Sequence, residues 1–321
     1  MQGFEKKSLP FLEVIKLYQK IIFALLALVC CSGFVSPPVA LLLGLLVANL
    51  TGHPFLHLNA RTINILLQFA VVGLGFGMNV NNALSAGKEG FLFTIASIVS
   101  TLVLGGLIGR WFLIEKKTAY LISCGTAICG GSAIAAIATV IKADEKQTSV
   151  ALGVIFILNS MALFLFPAVG LWLQLSQQEF GLWCAIAIHD TSSVIGAANN
   201  YGPEALQIAT TVKLARALWI IPVALITSVL FNNKSSKIKI PYFIGLFILA
   251  ILLNTYIPQI SLVSPYLVSV AKIGLTLTLF LIGAGLSRSV LQSVGIKPLL
   301  QGVLLWIFIA VATLVTIICF R

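Results

Sequence analysis

Apolar residues dominate the chain, and short polar stretches divide them into segments long enough to cross a lipid bilayer. A helix needs about 20 apolar residues to span the hydrocarbon core, and fewer where it is broken. The sequence predicts eleven spans, near 21–35, 37–51, 62–80, 91–113, 118–141, 148–173, 181–198, 206–231, 241–257, 267–287 and 298–320. We expect an all-α polytopic membrane protein, with residues 1–20 as a cytoplasmic amphipathic segment and 21–321 as a single transmembrane domain.

Composition supports this class. The 321 residues are 59% hydrophobic and 9% charged, with a mean hydropathy of +1.07, whereas soluble domains are about 25% charged. The first residues lack the cationic start and the cleavage site of a signal peptide. The six cysteines lie in apolar segments without metal-ligand spacing, so we expect no disulfide framework, no metal site and no cofactor.

The positive charges predict an orientation. The net charge of +11 comes mostly from Lys and Arg in short connections, which orient a membrane protein and do not indicate nucleic-acid binding. With the N-terminus inside and eleven spans, the opposite side keeps only Lys88, Lys142, Lys146 and Arg321. The cytoplasmic side collects Lys6, Lys7, Lys16, Lys20, Arg61, Arg110, Lys116, Lys117, Lys234, Lys237, Lys239, Arg288 and Lys297. This bias predicts a bacterial inner-membrane protein with its N-terminus in the cytoplasm and its C-terminus outside.

The fifth span is interrupted between Ser123 and Thr139. It contains Gly125, Gly130 and Gly131, and two adjacent glycines inside a helix cost roughly 2 kcal/mol relative to two alanines. A break at Gly130–Gly131 would free backbone groups that hydrocarbon cannot satisfy, so it would have to face protein or a watery cavity. The helix restarting at Ser132 would then offer an anion site at its N-terminus. Close helix packing by small residues explains the same composition equally well.

A weak internal repeat is also present. The segment that begins at Leu67 resembles the segment that begins at Leu275. In this alignment Gly75 and Gly77 match Gly283 and Gly285, and Gly87 matches Gly295. These are spans three and ten, which have opposite orientations, as in transporters built from inverted repeats. A rival pairing matches the interrupted span five with span ten as two crossing broken helices.

Span seven carries the only carboxylate inside a predicted span. Asp190 follows His189 and precedes Thr191, Ser192 and Ser193. Polar groups at this depth usually face a cavity and serve function. Asp190 or His189 could carry a proton. The alternative is a polar clamp between helices, with Asp190 holding a cation.

Two basic residues in span eight could be the partners of Asp190. Lys213 and Arg216 are three positions apart and share a helix face. Two buried bases against one buried acid leave the site short of one negative charge, which a small oxyanion bound by Arg216 would supply. Snorkelling to the membrane surface is an equal alternative.

Together these segments resemble a known family over nearly the whole chain. The residues are Cys124–Ala136, His189–Val194 and Thr211–Arg216. They are similar to the YeiH-type bacterial inner-membrane family, which is labelled as sulfate exporters. The resemblance implies a relationship to bile-acid-symporter-like and antiporter-like folds, which have inverted repeats and crossed broken helices.

The leading hypothesis is a secondary transporter that exports a small anion such as sulfate or a sulfonate. Its predicted binding residues are Cys129, Gly130, Gly131, Ser132, Asp190, Thr191, Ser192, Lys213 and Arg216, with His189 and Asp190 coupling a proton. The expected partners are the anion and the lipid bilayer, and a homodimer is compatible with the sequence.

Two other function classes compete with transport. In a membrane-embedded enzyme, His189, Asp190 and either Ser192 or Cys129 would form a nucleophile–base set. Adjacent helical residues point about 100° apart, so this set is poorly placed for catalysis and we expect no enzyme. A channel is the other alternative, and no gating domain supports it.

Overall fold

The computed structural model describes residues 9–52, 54–231, 242–285 and 294–319, which form α-helices numbered here in chain order. The helices are α1 Leu9–Cys31, α2 Pro37–Leu50, α3 Leu56–Gly75, α4 Val80–Trp111, α5 Lys116–Ala127, α6 Gly131–Ile141, α7 Glu145–Trp172, α8 Gln177–Ala187, α9 Thr191–Tyr201, α10 Pro203–Ala217, α11 Ile220–Leu230, α12 Tyr242–Tyr256, α13 Pro258–Gly285 and α14 Ile296–Cys319.

The long apolar helices agree with the predicted class. Five segments are long and apolar enough to cross a membrane: Thr94–Trp111, Lys146–Trp172, Pro203–Leu230, Pro258–Gly285 and Ile296–Cys319. Several shorter apolar helices accompany them. Residues 1–8 of the predicted amphipathic segment lie outside the described residues, and so do 232–241, 286–293 and 320–321. Helix α1 continues without interruption through residue 20, where the sequence suggested a boundary.

Predicted span five is a hairpin. If α5 and α6 stacked end to end, their outer ends would lie about 35 Å apart. Instead the Lys117 ammonium at the start of α5 donates to the Lys142 carbonyl oxygen just after α6, at 2.8 Å. The side chains of Glu115 and Gln147 also meet there. Residues Lys116–Ile141, the first hairpin, therefore enter and leave on the same side.

Predicted span seven is a second hairpin. The Gln177 side-chain oxygen, at the start of α8, accepts the Glu204 backbone N–H, just after α9, at 2.9 Å. The Tyr201 hydroxyl donates to the Leu175 carbonyl oxygen at 2.6 Å. The ring of Tyr201 stacks on Phe180 with centroids 3.8 Å apart. Both ends of Gln177–Tyr201 thus lie together.

The two hairpins enter the fold from opposite sides because α7, a helix of 28 residues, crosses between them. The prediction that spans 118–141 and 181–198 cross the membrane is therefore wrong. Each limb has only 11 or 12 residues and is about half as long as the hydrocarbon core is thick. The two limbs of a hairpin together contain as many apolar residues as one membrane span, which explains the incorrect prediction. Lys142 and Lys146 move to the side of Lys117.

The described helices form two groups. Helices α1, α2, α3, α12 and α13 pack on one another and are called the panel; α4–α11 and α14 are called the core. In the panel, α2 and α13 cross with backbones in contact: a methyl group on Gly44 would lie 2.0 Å from the Phe280 carbonyl oxygen, and one on Gly283 would lie 2.0 Å from the Leu41 carbonyl oxygen. The panel meets the core chiefly through α9, which packs against α13 and α2.

The directions of the helices bear on the two predicted repeat pairings, span three with span ten and span five with span ten. Helices α3 and α13, which hold the predicted glycine-rich repeat, are antiparallel, since Asn59 donates to the Leu281 carbonyl oxygen while Gly73 packs on Ala271. That is the relation an inverted repeat requires. The rival pairing of span five with span ten is wrong, because α13 is unbroken from Pro258 to Gly285.

The structural counterpart of the first hairpin is the second. One constant shift along the chain places Cys124 on Cys184, Ala127 on Ala187, Ile128 on Ile188 and Ser132 on Ser192. The same shift aligns the bounds of α5 with those of α8, and the bounds of α6 with those of α9, to within one residue.

Candidate functional site

The tips of the two hairpins touch inside the core. The first tip is Ile128–Gly130 and the second is Ile188–Asp190. Gly130 has φ +66° and ψ −124°, which a side chain rarely adopts. A methyl group on Gly130 would lie 3.1 Å from the Asp190 Cβ. The predicted helix interruption is therefore a turn that brings the backbones of the two tips together.

The first tip is closed by its own polar side chains. The Cys129 thiol and the Ser132 hydroxyl lie 2.8 Å apart, and Ser132 also donates to the Cys129 carbonyl oxygen at 3.2 Å. Gly131 begins α6, and a methyl group added to it would meet its nearest neighbour, Leu152, at an ordinary 3.4 Å. These predicted binding residues lie at or beside the tip, and the Ser132 hydroxyl already has a protein partner.

Asp190 caps the N-terminus of α9. Its carboxylate accepts the Ser193 backbone N–H at 2.8 Å, the Ser193 hydroxyl at 2.9 Å and the Ser192 hydroxyl at 2.6 Å. This is the N-cap geometry that aspartate favours. Thr191 is the first residue of α9, so the polar run predicted in mid-membrane is largely the capping structure of a half-helix.

Lys213 and Arg216 reach both tips from α10. The Lys213 ammonium donates to the carbonyl oxygens of Ile188 at 2.6 Å and Ala185 at 3.3 Å. The Arg216 guanidinium donates to the Ala127 carbonyl oxygen through Nε at 2.8 Å and through Nη2, and to the Ile186 carbonyl oxygen at 2.8 Å through Nη1. The two cations thus bind the C-terminal ends of α5 and α8, where helix dipoles are negative.

These contacts correct two expectations. Both side chains are fully buried, so the snorkelling alternative is wrong. The proposed direct pairing with Asp190 is wrong as well: the hydrogen bonds described for the two cations go to backbone carbonyls. Lys213 nevertheless lies within electrostatic range of Asp190, Cys129 and Arg216.

Basic side chains outnumber acidic ones at the tips. Two helix N-termini and two C-termini meet there, and their partial charges of about half a unit each cancel. Lys213 and Arg216 contribute two basic side chains, and Asp190 contributes one acidic side chain. The site therefore has one more basic than acidic side chain in a buried place, where a small anion would be stabilised.

Asn159 is a further polar residue near the tips that was not predicted from the sequence. It lies on α7, is 2% exposed, and its side-chain oxygen accepts the His189 backbone N–H at 3.1 Å. A lone amide in the apolar run of span six was a signal that could have found it. Thr126, one residue before the carbonyl bound by Arg216, was missed too, and its buried hydroxyl has no hydrogen-bond partner among the described residues.

The predicted nucleophile–base set does not assemble in the part of the chain that the structure describes. Neither ring nitrogen of His189 has a hydrogen-bond partner there. The Ser192 hydroxyl bonds to Asp190, and the Cys129 thiol bonds to Ser132. Among the described residues, His189 therefore bonds to neither of the two candidate nucleophiles.

The fold and its opposed hairpins define a polytopic helical membrane protein with a buried polar centre. The chain belongs to the family described as conserved hypothetical protein 698, whose model matches residues 15–302. This agrees with the resemblance to the YeiH-type family and confirms it.

Relatives cover nearly the whole chain. A protein of Bacteroides thetaiotaomicron is 56% identical over 288 residues, covering 88% of this chain and 86% of its own. One of Porphyromonas gingivalis is 52% identical over 291 residues, with 89% and 88% covered. One of Vibrio parahaemolyticus is 51% identical over 297 residues, with 91% and 96% covered. All three are named UPF0324 membrane proteins. No solved structure matches the chain.

Proposed function

We propose that this protein is a secondary transporter, and not an enzyme, that moves a small anion such as sulfate or a sulfonate across the bacterial inner membrane. The observation that carries the proposal is the meeting of two hairpin tips, entering from opposite sides, at a buried site that has one more basic than acidic side chain. Binding sites of secondary transporters lie near the bilayer midplane, between inverted repeats, at the ends of interrupted helices.

The hairpins also suggest how the solute gains access from each side in turn. Each limb reaches the middle of the fold, so displacement of one hairpin base uncovers the tips from one side only. The panel is the static surface in this scheme, because α2 and α13 are locked by backbone contact. His189 and Asp190, the titratable pair of the second tip, are the proposed proton-coupling groups.

The hairpins sharpen the proposed orientation. With Lys142 and Lys146 on the side of Lys117, the positive charges of the described connections concentrate further on one side. The positive-inside rule supports the proposal that this side is the cytoplasm, with the N-terminus inside and the entrance of the first hairpin at the cytoplasmic surface.

Flux into proteoliposomes tests the proposal. Purified protein is reconstituted and the uptake of radiolabelled sulfate, sulfite and taurine is followed with and without a proton gradient. We expect uptake of at least one of these anions above that of protein-free vesicles. A folded wild-type protein that moves none of them would refute the assignment.

Asp190→Asn tests the role of the second tip. The amide keeps an oxygen that can accept the Ser193 N–H, but the site loses its acidic, titratable side chain. We expect transport that no longer responds to the proton gradient. Thr139→Ala is the matched control, since Thr139 lies on the exposed face of α6 and bonds only to its own helix. Unchanged coupling in Asp190→Asn would remove Asp190 from the mechanism.

A further inference from the structure

The helices that precede the two hairpins end in the same way. Helix α4 ends at Trp111 and α7 ends at Trp172. Two residues beyond each tryptophan the backbone is left-handed, with φ +55° at Leu113 and +52° at Gln174. In both turns the backbone N–H of the next residue donates to the carbonyl oxygen five residues earlier, at 2.9 and 3.0 Å. Equivalent turns therefore lead into the two hairpins, one on each side of the fold.

Both turns present large apolar side chains on the surface. Trp111 is 76% exposed and Trp172 is 81% exposed, and Leu113 in the first turn is 83% exposed. Tryptophan concentrates where a membrane meets water, because its ring is apolar but carries a hydrogen-bond donor. The two turns therefore suit the headgroup regions on opposite faces of the bilayer.

The entrances of the two hairpins differ in charge. Residues 109–118 and 141–147, the first entrance, contain five basic residues: Arg110, Lys116, Lys117, Lys142 and Lys146. The formal charge there is +2, because the same stretches contain three acidic residues, Glu115, Asp144 and Glu145. Residues 170–179 and 201–207, the second entrance, contain no basic residue and two acidic ones, Glu179 and Glu204. Equivalent backbone turns thus carry charges of opposite sign.

Contacts gather the basic residues of the first entrance on one surface. The hydrogen bond from the Lys117 ammonium to the Lys142 carbonyl oxygen joins the two ends of the hairpin. Helix α4 packs closely on α5 just before Arg110, since a methyl group on Gly109 would lie 2.6 Å from the Ala119 side chain. Four of the five basic side chains are exposed: Arg110, Lys116, Lys142 and Lys146.

Two of the three carboxylates at the first entrance serve the fold. Asp144 accepts the Gln147 backbone N–H at 2.7 Å, and Glu115 accepts the side-chain amide of Gln147. These two carboxylates are thus held against the ends of α5 and α7. The excess of cations remains available to an anion outside the protein.

We propose that the first entrance binds the phosphate headgroup of an anionic phospholipid, such as phosphatidylglycerol, from the surrounding bilayer. Arg110 and the exposed lysines pair with the phosphate, and Trp111 and Leu113 lie along the glycerol and the acyl chains. Clusters of Lys and Arg beside membrane spans are attracted to anionic lipid. The second entrance has the same turn and an equally exposed tryptophan, but without cations it does not select anionic lipid.

Lipid titration tests the proposal. The full-length protein is purified in a neutral detergent, and its melting temperature is followed as phosphatidylglycerol, or phosphatidylcholine with the same acyl chains, is added. A ligand that binds only the folded protein raises its melting temperature. We expect a saturable rise with phosphatidylglycerol and little change with phosphatidylcholine. Inorganic phosphate, which lacks the acyl chains, should produce no rise.

Two double variants with the same loss of charge locate the site. Arg110→Gln with Lys146→Gln removes two exposed cations from the first entrance, whereas Lys20→Gln with Arg61→Gln removes two exposed cations from the panel. Each basic residue near an anionic membrane surface strengthens binding roughly fivefold, so the first variant should need about 25-fold more phosphatidylglycerol for half of the rise. The panel variant should respond like the wild type.

The tryptophans form a second matched pair. Trp111→Ala should weaken phosphatidylglycerol binding, because it removes the ring that lies along the lipid beside the cations. Trp172→Ala removes the equivalent ring from the second entrance and should leave the titration unchanged.

Several outcomes would overturn the assignment. Equal rises with the two lipids, or a rise with inorganic phosphate as large as that with phosphatidylglycerol, would show that no anionic lipid is selected. Equal losses in the two double variants would show a diffuse attraction to net charge, and an unchanged response in the first of them would remove the first entrance as the site. None of these results bears on anion transport, which the flux assay tests separately.

Discussion

The two hairpins share length and register but not surroundings. In the second hairpin, every residue of α9 from Thr191 to Ala198 is buried. Helix α9 packs on α7 and α10 of the core and on α13 and α2 of the panel. In the first hairpin, α6 packs on α5, α7 and α11, all in the core, and leaves Ser132, Ala135 and Thr139 exposed.

This difference shows that two segments with the same length and register can have different packing environments in one conformation. Two copies of one structural unit in opposite orientations would have the same environment in a symmetric molecule. Here the panel covers one hairpin and leaves a face of the other uncovered. Under the proposed transport, this conformation is sealed on the side of the second hairpin, and the opposite state would exchange the two environments.

The largest expected effect concerns the sidedness of the hairpins. Single cysteines at Lys116, Lys146 and Gln178, in a cysteine-free background, are treated with a membrane-impermeant thiol reagent. Lys116→Cys and Lys146→Cys should react from the same face and Gln178→Cys from the other, because each hairpin returns to its own side. If positions 116 and 146 react from opposite faces, residues 116–141 cross the membrane and do not form a hairpin, so the comparison of two hairpins would be wrong. The cysteine-free parent is the control.

Gly130→Ala should have the next largest effect. The unusual backbone angles of Gly130 cost a side chain of order 1–3 kcal/mol, and the added methyl group would also push against Asp190. We expect a lower melting temperature and loss of anion flux. Gly131→Ala is the neighbouring control: it begins α6 with ordinary contacts, and its melting temperature should change little. Equal behaviour of the two variants would show that the tips do not meet closely.

A third pair of variants distinguishes the contacts made to the first tip from those made to the second. Arg216 binds carbonyls of both hairpins, whereas Lys213 binds carbonyls of the second hairpin only. Hydrogen bonds to charged groups contribute about 1.5–3 kcal/mol each. Hydrogen exchange should accelerate at both tips in Arg216→Lys, which cannot bridge them, and at the second tip alone in Lys213→Met. Faster exchange at the first tip in Lys213→Met would contradict this division.

The smallest effect is expected at the hairpin bases. The Tyr120 hydroxyl lies 2.7 Å from the Thr227 hydroxyl on α11, and the Tyr201 hydroxyl donates to the Leu175 carbonyl oxygen. Tyr120→Phe and Tyr201→Phe each remove one such bond and keep the ring, so each should lower the free energy of unfolding by about 1 kcal/mol. Chemical denaturation in detergent measures both. A much larger loss in one variant would mark that base as the stronger anchor.

Part of this architecture could be predicted from sequence and part could not. Adjacent glycines inside an apolar run conflict with a continuous helix, so the turn at Gly130 was predictable. The hairpins were not, because hydropathy records how many apolar residues occur and not whether the chain reverses. An interior position of Lys213 and Arg216 was one of two equal alternatives. Their carbonyl partners could not be predicted, because those partners depend on where α5 and α8 end. Asn159 was overlooked because its importance arises from a contact with His189, distant in sequence.

The contact between α2 and α13 has a consequence for how the protein is made. Helix α2 has 14 residues, about 21 Å of helix, which is short for a bilayer, and the surface it needs belongs to residues 258–285, synthesised much later. During translation α2 is therefore synthesised before the surface on which it packs, and until then only the insertion machinery or the neighbouring α1 can cover it. A chain truncated before Gly283 would lack the backbone contact between Gly283 and Leu41 that joins α13 to α2.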